Sequence, residues 1–179
     1  MFPLSTVLLP GMVLPLHVFE PRYRALVADC LAEEPEFGVV LIDRGHEVGG
    51  GDVRRPIGTV ARIVQVAAIA DGRSAVVSVG TRRLRVTKWL EDDPYPRAEV
   101  EDWPDDPEGA DGDATPGLDA VVSRLRRVLA TYHAAGLAPL GEDDRYRLLA
   151  APGPVTRLAM LHELLAGAEE LLRFRVIGG

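Results

Sequence analysis

The segment from Ile57 to Gly80, IGTVARIVQVAAIADGRSAVVSVG, limits the possible folds more than any other part of this 179-residue chain. β-Branched residues are frequent on both sides of Asp71-Gly72, and this pair can adopt the positive φ angles of a tight hairpin turn. We therefore predict two long antiparallel strands that meet at Asp71-Gly72.

Three further stretches have strand patterns. FGVVLID, residues 37–43, is typical of a buried strand, because it is a short, nearly continuous apolar run. In RRLRVTKWL the alternation places Arg83 and Arg85 on the solvent face, and in RAEVEDW it places Val100 inward. Short strands at this spacing predict a rolled sheet or small barrel of about six strands. We assign it to residues 1–103.

The stretch LPLHVFEPRYRALV, residues 14–27, marks the passage from a strand to a helix. Proline is favoured at the first helical position, so Pro21 predicts a helix start, and Glu20 would meet the free N–H groups there. We interpret His17, Glu20 and Arg22 as residues that fasten this turn rather than as catalytic groups. The predicted buried face of the helix consists of Tyr23, Leu26, Val27, Cys30 and Leu31.

The remainder of the chain changes character twice. Residues 104–117, PDDPEGADGDATPG, are acidic and rich in proline and glycine, which predicts a flexible, solvated linker. Residues 118–179 carry apolar positions at spacings of three and four, which predicts a helical bundle. Within it, Pro154 opens a helix whose buried side includes Leu158 and Leu161. The predicted class is α+β: a rolled β-sheet domain with one inserted helix, followed by helices.

Composition disfavours several kinds of partner and site. The net charge of −7 argues against nucleic acid and anionic membranes. A single cysteine, Cys30, favours a reducing compartment, and the N-terminal apolar run is too short for a signal peptide, so we expect a cytoplasmic protein. The four histidines are scattered, and the serines lie in no nucleophile motif. We therefore expect neither a metal, nor a cofactor, nor a catalytic residue.

The collinear segments FPLSTVLLPGMVLPLHVFEPRYRALV, FGVVLI, IGTVARIVQV, DGRSAVVSVGTRRLRV and DDPYPRAEVE give the chain a family resemblance. Over residues 1–103 it resembles the N-terminal substrate-recognition domain of ATP-dependent Lon protease, and especially stand-alone bacterial proteins that consist of this domain. The resemblance implies a PUA-like β-barrel followed by a helical bundle. The motif residues that carry it most specifically are His17, Phe19, Glu20, Pro21, Arg22 and Tyr23.

The resemblance implies a non-enzymatic module that binds unfolded or exposed hydrophobic polypeptide segments, with a separate protease or chaperone as a possible partner. The only lysine, Lys88, lies in a predicted strand, so we expect neither a Walker lysine nor a Ser–Lys dyad. The glycine-rich loop from Arg44 to Arg55 is a candidate for recognition. The candidate binding residues are Arg44, His46, Arg54, Arg55, Trp89 and Trp103, although either tryptophan could instead pack the linker against the barrel.

Two other functions stay open at this point. PUA-like folds also bind RNA, and a basic cluster on one strand, Arg82, Arg83, Arg85 and Lys88, could contact phosphates. The acidic residues that follow this cluster and the negative net charge oppose that interpretation. The second alternative is an enzyme of unknown class that uses His17 or Cys30.

Overall fold

The computed structural model describes residues 1–48, 51–106 and 140–164. The chain divides into two compact units, Met1–Pro104 and Asp105–Gly179. No helix among the described residues is long and apolar enough to cross a lipid bilayer.

The first unit contains six strands and one helix. The strands are β1 (Phe2–Leu4), β2 (Val13–Val18), β3 (Glu36–Arg44), β4 (Val53–Ala68), β5 (Ser74–Trp89) and β6 (Ala98–Asp102), and helix α1 (Pro21–Ala32) follows β2. All six strands form one sheet in the order β1-β3-β4-β5-β2, and β6 also pairs with β5. Among the strands that the structure describes, only β1 and β3 pair in parallel.

The central hairpin confirms the prediction made from the segment between Ile57 and Gly80. β4 and β5 are both 16 residues long and pair in antiparallel from Ile57 opposite Arg85 to Ala68 opposite Ser74. Asp71 and Gly72 have φ angles of 64° and 72°. The connection is longer than the expected two-residue turn, because a short 3-10 turn, Ala70–Gly72, stands between the strands.

The length of β5 gives the sheet its shape. Its first half pairs with β2, and its second half pairs with β6 along the same edge, while β4 covers the other edge. The result is a curled, open sheet with few helices. Its two end strands, β1 and β2, do not pair with each other, and no other described strand closes the gap between them.

The main core lies between the curled sheet and α1. Tyr23, Leu26 and Val27 are buried on the inner face of the helix, as predicted, and they pack with residues of β1, β2, β3 and β5. Cys30 is only partly buried. The prediction for Leu31 was wrong: 53% of it is exposed, because it lies in the last helical turn, beyond the buried residues Tyr23, Leu26 and Val27.

Two strand residues depart from the simple alternation. Arg83 was predicted on the solvent face, but it is 4% exposed, because its guanidinium donates hydrogen bonds to the carbonyl oxygens of Trp103 and Pro104 at 3.1 and 3.0 Å. Val100 was predicted inward but is 46% exposed, since β6 lies at the sheet edge.

In the second unit, the described residues form α2 (Glu142–Leu149) and a helix at 154–164, here α3, which begins at Pro154 as predicted. Arg157 is fully buried and donates to both carboxylate oxygens of Asp105, at 2.7 and 3.2 Å, and to the Leu148 carbonyl oxygen. Leu161 is buried as predicted, but Leu158 is 53% exposed because Arg157 occupies the inner face instead. Most of the predicted linker at 104–117 and bundle at 118–179 lies outside the described residues.

Candidate functional site

The corner between β2 and α1 is held by an ion pair rather than by a helix cap. Glu20 has extended backbone angles and precedes Pro21, which opens the helix as predicted. The Glu20 carboxylate makes no capping hydrogen bond and instead accepts one from Arg22 Nε at 3.1 Å. Arg22 also donates to the Glu47 carbonyl oxygen at 3.1 Å and lies 4.5 Å from the Tyr23 ring centroid. Its guanidinium therefore joins the helix start to the segment after β3.

Aromatic residues form the floor beside this corner. The Phe2 and Tyr23 rings stack with centroids 4.0 Å apart, and Phe37 lies against Phe2 at 5.9 Å. Burial raises the pKa of the Tyr23 hydroxyl to about 12, so it stays protonated at neutral pH. Offset aromatic contacts of this kind stabilise a core beyond their area alone. The floor is therefore rigid and predominantly apolar.

A cavity of about 250 Å³ lies above this floor, in the gap between the two end strands. Both β1, through Phe2 and Leu4, and β2, through its residues from Pro15 onward, line it. A second hollow of about 390 Å³ shares His17, Val18 and Phe19 with the first. The two hollows meet at the end of β2, so we refer to them together as the β2 groove.

Phe19 is the residue whose position the sequence did not predict. It was named only as a residue of the family motif; 52% of its surface is exposed, and it lines both hollows. Ile69 is 39% exposed in the second hollow, and Val48 is 61% exposed in the first. Large apolar groups gathered around a concave surface are typical of interaction sites. The only advance signal was that Phe19 lies between the strand and the helix, outside either pattern.

His17 does not join the ion pair at the corner. Its side chain is exposed in the β2 groove and hydrogen-bonds to no other described residue. Cys30 Sγ donates to the Glu36 carbonyl oxygen at 3.2 Å, and burial raises the pKa of its thiol. Because the thiolate is the reactive form, this environment suits a structural thiol. Within the described residues there is no group of three or more His, Cys, Asp or Glu side chains placed to hold a metal.

Part of the predicted binding surface comes together around Arg54. Its guanidinium lies 5.2 Å from the Trp89 ring centroid and forms ion pairs with Asp52 at 2.6 Å and Asp92 at 3.0 Å. Burial opposes its charge, but hydrogen bonds to Asp92 and Asp52 outweigh this and raise the pKa of Arg54. An open hollow of about 410 Å³ lies beside this cluster. Arg54 is therefore already neutralised by its own chain.

The remaining predicted surface residues lie apart from that cluster. Arg55 donates to Asp43 at 2.8 Å, whereas Arg44 approaches Asp43 only to 4.0 Å and is 81% exposed at its side chain, and His46 is also exposed. Trp103 is half-buried under the guanidinium groups of Arg83 and Arg85, 4.8 and 5.7 Å from its ring centroid. The predicted surface residues thus make different sets of contacts rather than forming one cluster.

Each member of the basic cluster on β5 already has an acceptor. Arg82 pairs with Glu36 and Asp102 at 2.8 and 2.9 Å, Arg85 pairs with Glu101, and Lys88 approaches Glu99 to 3.4 Å. Arg83 is buried on backbone carbonyl groups, as described above. A phosphate would have to displace these partners, and nucleic-acid affinity depends on such contacts. The geometry gives no support to an RNA interface at this strand.

Comparisons with known proteins agree with the resemblance found in the sequence. The family model of the ATP-dependent protease La (LON) substrate-binding domain matches residues 1–133. The crystal structure of a Lon N-terminal domain protein from Xanthomonas campestris is similar with a TM-score of 0.70 and 32% identity, covering 90% of this chain and 95% of that one.

Two curated relatives are much longer than the matched region. The Lon protease of Anaeromyxobacter dehalogenans is 33% identical over 99 residues, which is 54% of this chain and 12% of that protein. A LON peptidase N-terminal domain and RING finger protein of Schizosaccharomyces pombe is 23% identical over 223 residues, 97% of this chain and 46% of that protein. The resemblance seen in the sequence is confirmed, and the chain belongs to the family of the Lon protease substrate-binding domain.

Proposed function

We propose that this protein binds unfolded polypeptide segments in the β2 groove and does so without cleaving them. The observation that carries the proposal is Phe19, a large aromatic residue 52% exposed at the meeting point of two apolar hollows. Burial of such a side chain against a partner contributes about 1.5–3 kcal/mol. Aromatic anchors of this kind dominate the free energy of binding in protein interfaces.

Family membership supports the class of ligand. The family is described as a substrate-binding domain, and the substrates of a protease are polypeptides. The name of the Schizosaccharomyces pombe relative combines a Lon peptidase N-terminal domain with a RING finger, which supports a domain that works beside different effectors. In the proposed function a separate protease or chaperone acts on the bound segment, and the chain itself contributes recognition only.

The open edge of the sheet supports the location. The β2 groove lies in the gap between β1 and β2, where a PUA-like barrel would close. A bound segment placed there contacts apolar side chains from both end strands at once. The predicted surface around Arg44, His46, Arg54, Arg55, Trp89 and Trp103 remains a second proposal. It ranks below the groove because Arg54 and Arg55 already pair with carboxylates of this chain.

The test measures binding of a permanently unfolded chain. Fluorescein-labelled, reduced and carboxymethylated α-lactalbumin is titrated with the wild-type protein and with Phe19→Ala, and fluorescence anisotropy gives the dissociation constant. We expect Phe19→Ala to weaken binding by about tenfold or more, the effect of removing an interface anchor.

Val100→Ala provides the matched control. Val100 is 46% exposed in the same unit but lies on β6, away from the residues that line the groove. This variant should bind within about twofold of the wild type, as surface substitutions outside a site usually do. Equal affinities for all three proteins would remove the β2 groove as the binding site. Absence of binding by the wild type would refute the proposed function itself.

A further inference from the structure

The outer edge of β2 has main-chain hydrogen-bonding groups without a described strand beside them. β2 is the last strand in the sheet order, with β5 on its inner side only. The Gly80 N–H donates to the Met12 carbonyl oxygen at 2.9 Å. In an antiparallel ladder, hydrogen-bonded and non-hydrogen-bonded pairs alternate along the strand. The backbone N–H and C=O groups of the even-numbered residues of β2 therefore point toward β5. Val13, Pro15 and His17 therefore direct their backbone groups outward.

Pro15 makes this outer edge asymmetric. Proline has no N–H, and its place at an outward position agrees with the confinement of proline to sheet edges. The edge consequently presents three carbonyl acceptors, at Val13, Pro15 and His17, but only two N–H donors. A strand that pairs with this edge would be held mainly by hydrogen bonds from its own N–H groups to these three carbonyl oxygens. Loss of one of those N–H groups should therefore weaken its binding.

The side chains around this edge suit an extended segment. The cavity between β1 and β2, of about 250 Å³, is lined by both end strands. It is elongated along β2, since every residue from Pro15 to Glu20 lines it. Alternate side chains of an added strand would point into this cavity beside Phe19, and the others would lie near Val13, which is 61% exposed.

We propose that β2 binds its polypeptide partner by strand addition: an extended segment pairs with the outer edge of Val13–Val18 and inserts apolar side chains, at every second position, into the cavity beside Phe19. The proposal rests on the proposed function, and it specifies the backbone conformation and side-chain pattern of the bound segment. Main-chain pairing supplies affinity that is largely independent of sequence, while the cavity selects apolar residues at alternate positions.

The experiment uses a fluorescein-labelled peptide of alternating valine and threonine residues with lysines at both ends. A set of variants carries a single N-methyl group on each residue in turn, which removes one N–H and leaves the side chain unchanged. We expect N-methylation at every second residue to weaken binding about tenfold, the equivalent of one lost hydrogen bond, and the intervening positions to change it less than about twofold. A uniform response along the peptide would overturn strand addition.

Hydrogen exchange on the protein provides the second readout. Binding of the unmodified peptide should slow exchange of the Val13 and His17 amides, whereas the Leu14 and Leu16 amides, which face β5, should already be slow without it. The substitution Val13→Pro removes one of the two outward donors and should weaken peptide binding about tenfold. Unchanged tryptophan fluorescence and an unchanged unfolding midpoint would show that this variant folds. Unchanged affinity in a folded Val13→Pro protein would contradict the proposal.

Two controls separate this proposal from its alternatives. If labelled α-lactalbumin binds but the alternating peptide does not, strand addition fails while polypeptide binding stands. If neither binds, the proposed function fails and strand addition fails with it. If sedimentation shows a dimer and the Val13 and His17 amides are protected without peptide, β2 pairs with a second copy of the chain, and the peptide proposal is overturned.

Discussion

Two fully buried hydroxyl groups in the same sheet should have different effects on the unfolding free energy when each is removed. Thr59 on β4 is 0% exposed, and its Oγ1 donates to the Leu8 carbonyl oxygen at 2.6 Å. Ser78 on β5 is also 0% exposed, but its Oγ has no hydrogen-bond partner among the described residues. One hydroxyl therefore satisfies a buried acceptor, while the other is buried without a described protein partner.

Thr59→Val keeps the shape of the side chain and removes the donor. It leaves the Leu8 carbonyl oxygen buried without this bond, and such a loss costs about 1–3 kcal/mol of unfolding free energy. Ser78→Ala removes a buried hydroxyl that gains nothing from its surroundings. We expect its unfolding free energy to be unchanged or higher by about 1 kcal/mol.

Urea denaturation followed by tryptophan fluorescence measures both effects. Trp89 and Trp103 lie in the first unit, so the signal reports on the sheet that contains both hydroxyl groups. With slopes of about 1–3 kcal/mol per M for small proteins, a loss of 2 kcal/mol lowers the midpoint by about 1 M. A larger loss of stability in Ser78→Ala than in Thr59→Val would refute the reasoning.

Three further predictions concern packing, a buried ion pair and pH. Gly58→Ala should cost about 3 kcal/mol or more and can be measured by urea denaturation, because a Cβ there would overlap the Val39 carbonyl oxygen. Arg157→Met should cost about 3–5 kcal/mol, since it removes the two hydrogen bonds that the buried guanidinium donates to the Asp105 carboxylate, and should speed amide exchange at 142–164. Hydrogen bonding to Arg82 holds the pKa of Glu36 below its usual 4.5. The stabilisation that ionised Glu36 provides is therefore present above pH 4.5 and is lost as the pH falls below that value. In Glu36→Gln, the unfolding free energy should depend less on pH in this range.

Local patterns were sufficient to predict β2 to β6 and α1, but not β1 or the exposure of individual side chains. The hairpin, its Asp71-Gly72 connection and the helix start at Pro21 follow from residues that lie next to each other in sequence. Arg83 was misplaced because the acceptors that allow its burial lie about twenty residues away in sequence. Alternation alone assigns an arginine to solvent, and only the tertiary fold provides those carbonyl groups.

The candidate site was harder to predict than the fold. Phe19 belongs to the motif that carries the family resemblance, but its exposure depends on the gap between β1 and β2, which no local pattern encodes. Conversely, Arg54 was expected on a binding surface, but it pairs with Asp52 nearby in sequence and also with Asp92, which lies 38 residues away. Exposure and charge pairing are properties of the assembled sheet. The sequence could therefore identify these residues as candidates, but not which of them are exposed and which are already paired.

The register of β2 has a consequence for synthesis on the ribosome. β2 pairs with Ser74–Val79, roughly sixty residues later in the chain. At translation rates of about 5–20 residues per second, the nascent segment that contains Phe19 waits several seconds before its own partner strand emerges. During that interval both of its edges lack a partner strand, and its apolar side chains meet water or a chaperone. A protein that captures unfolded segments would thus pass through a stage in which it presents one.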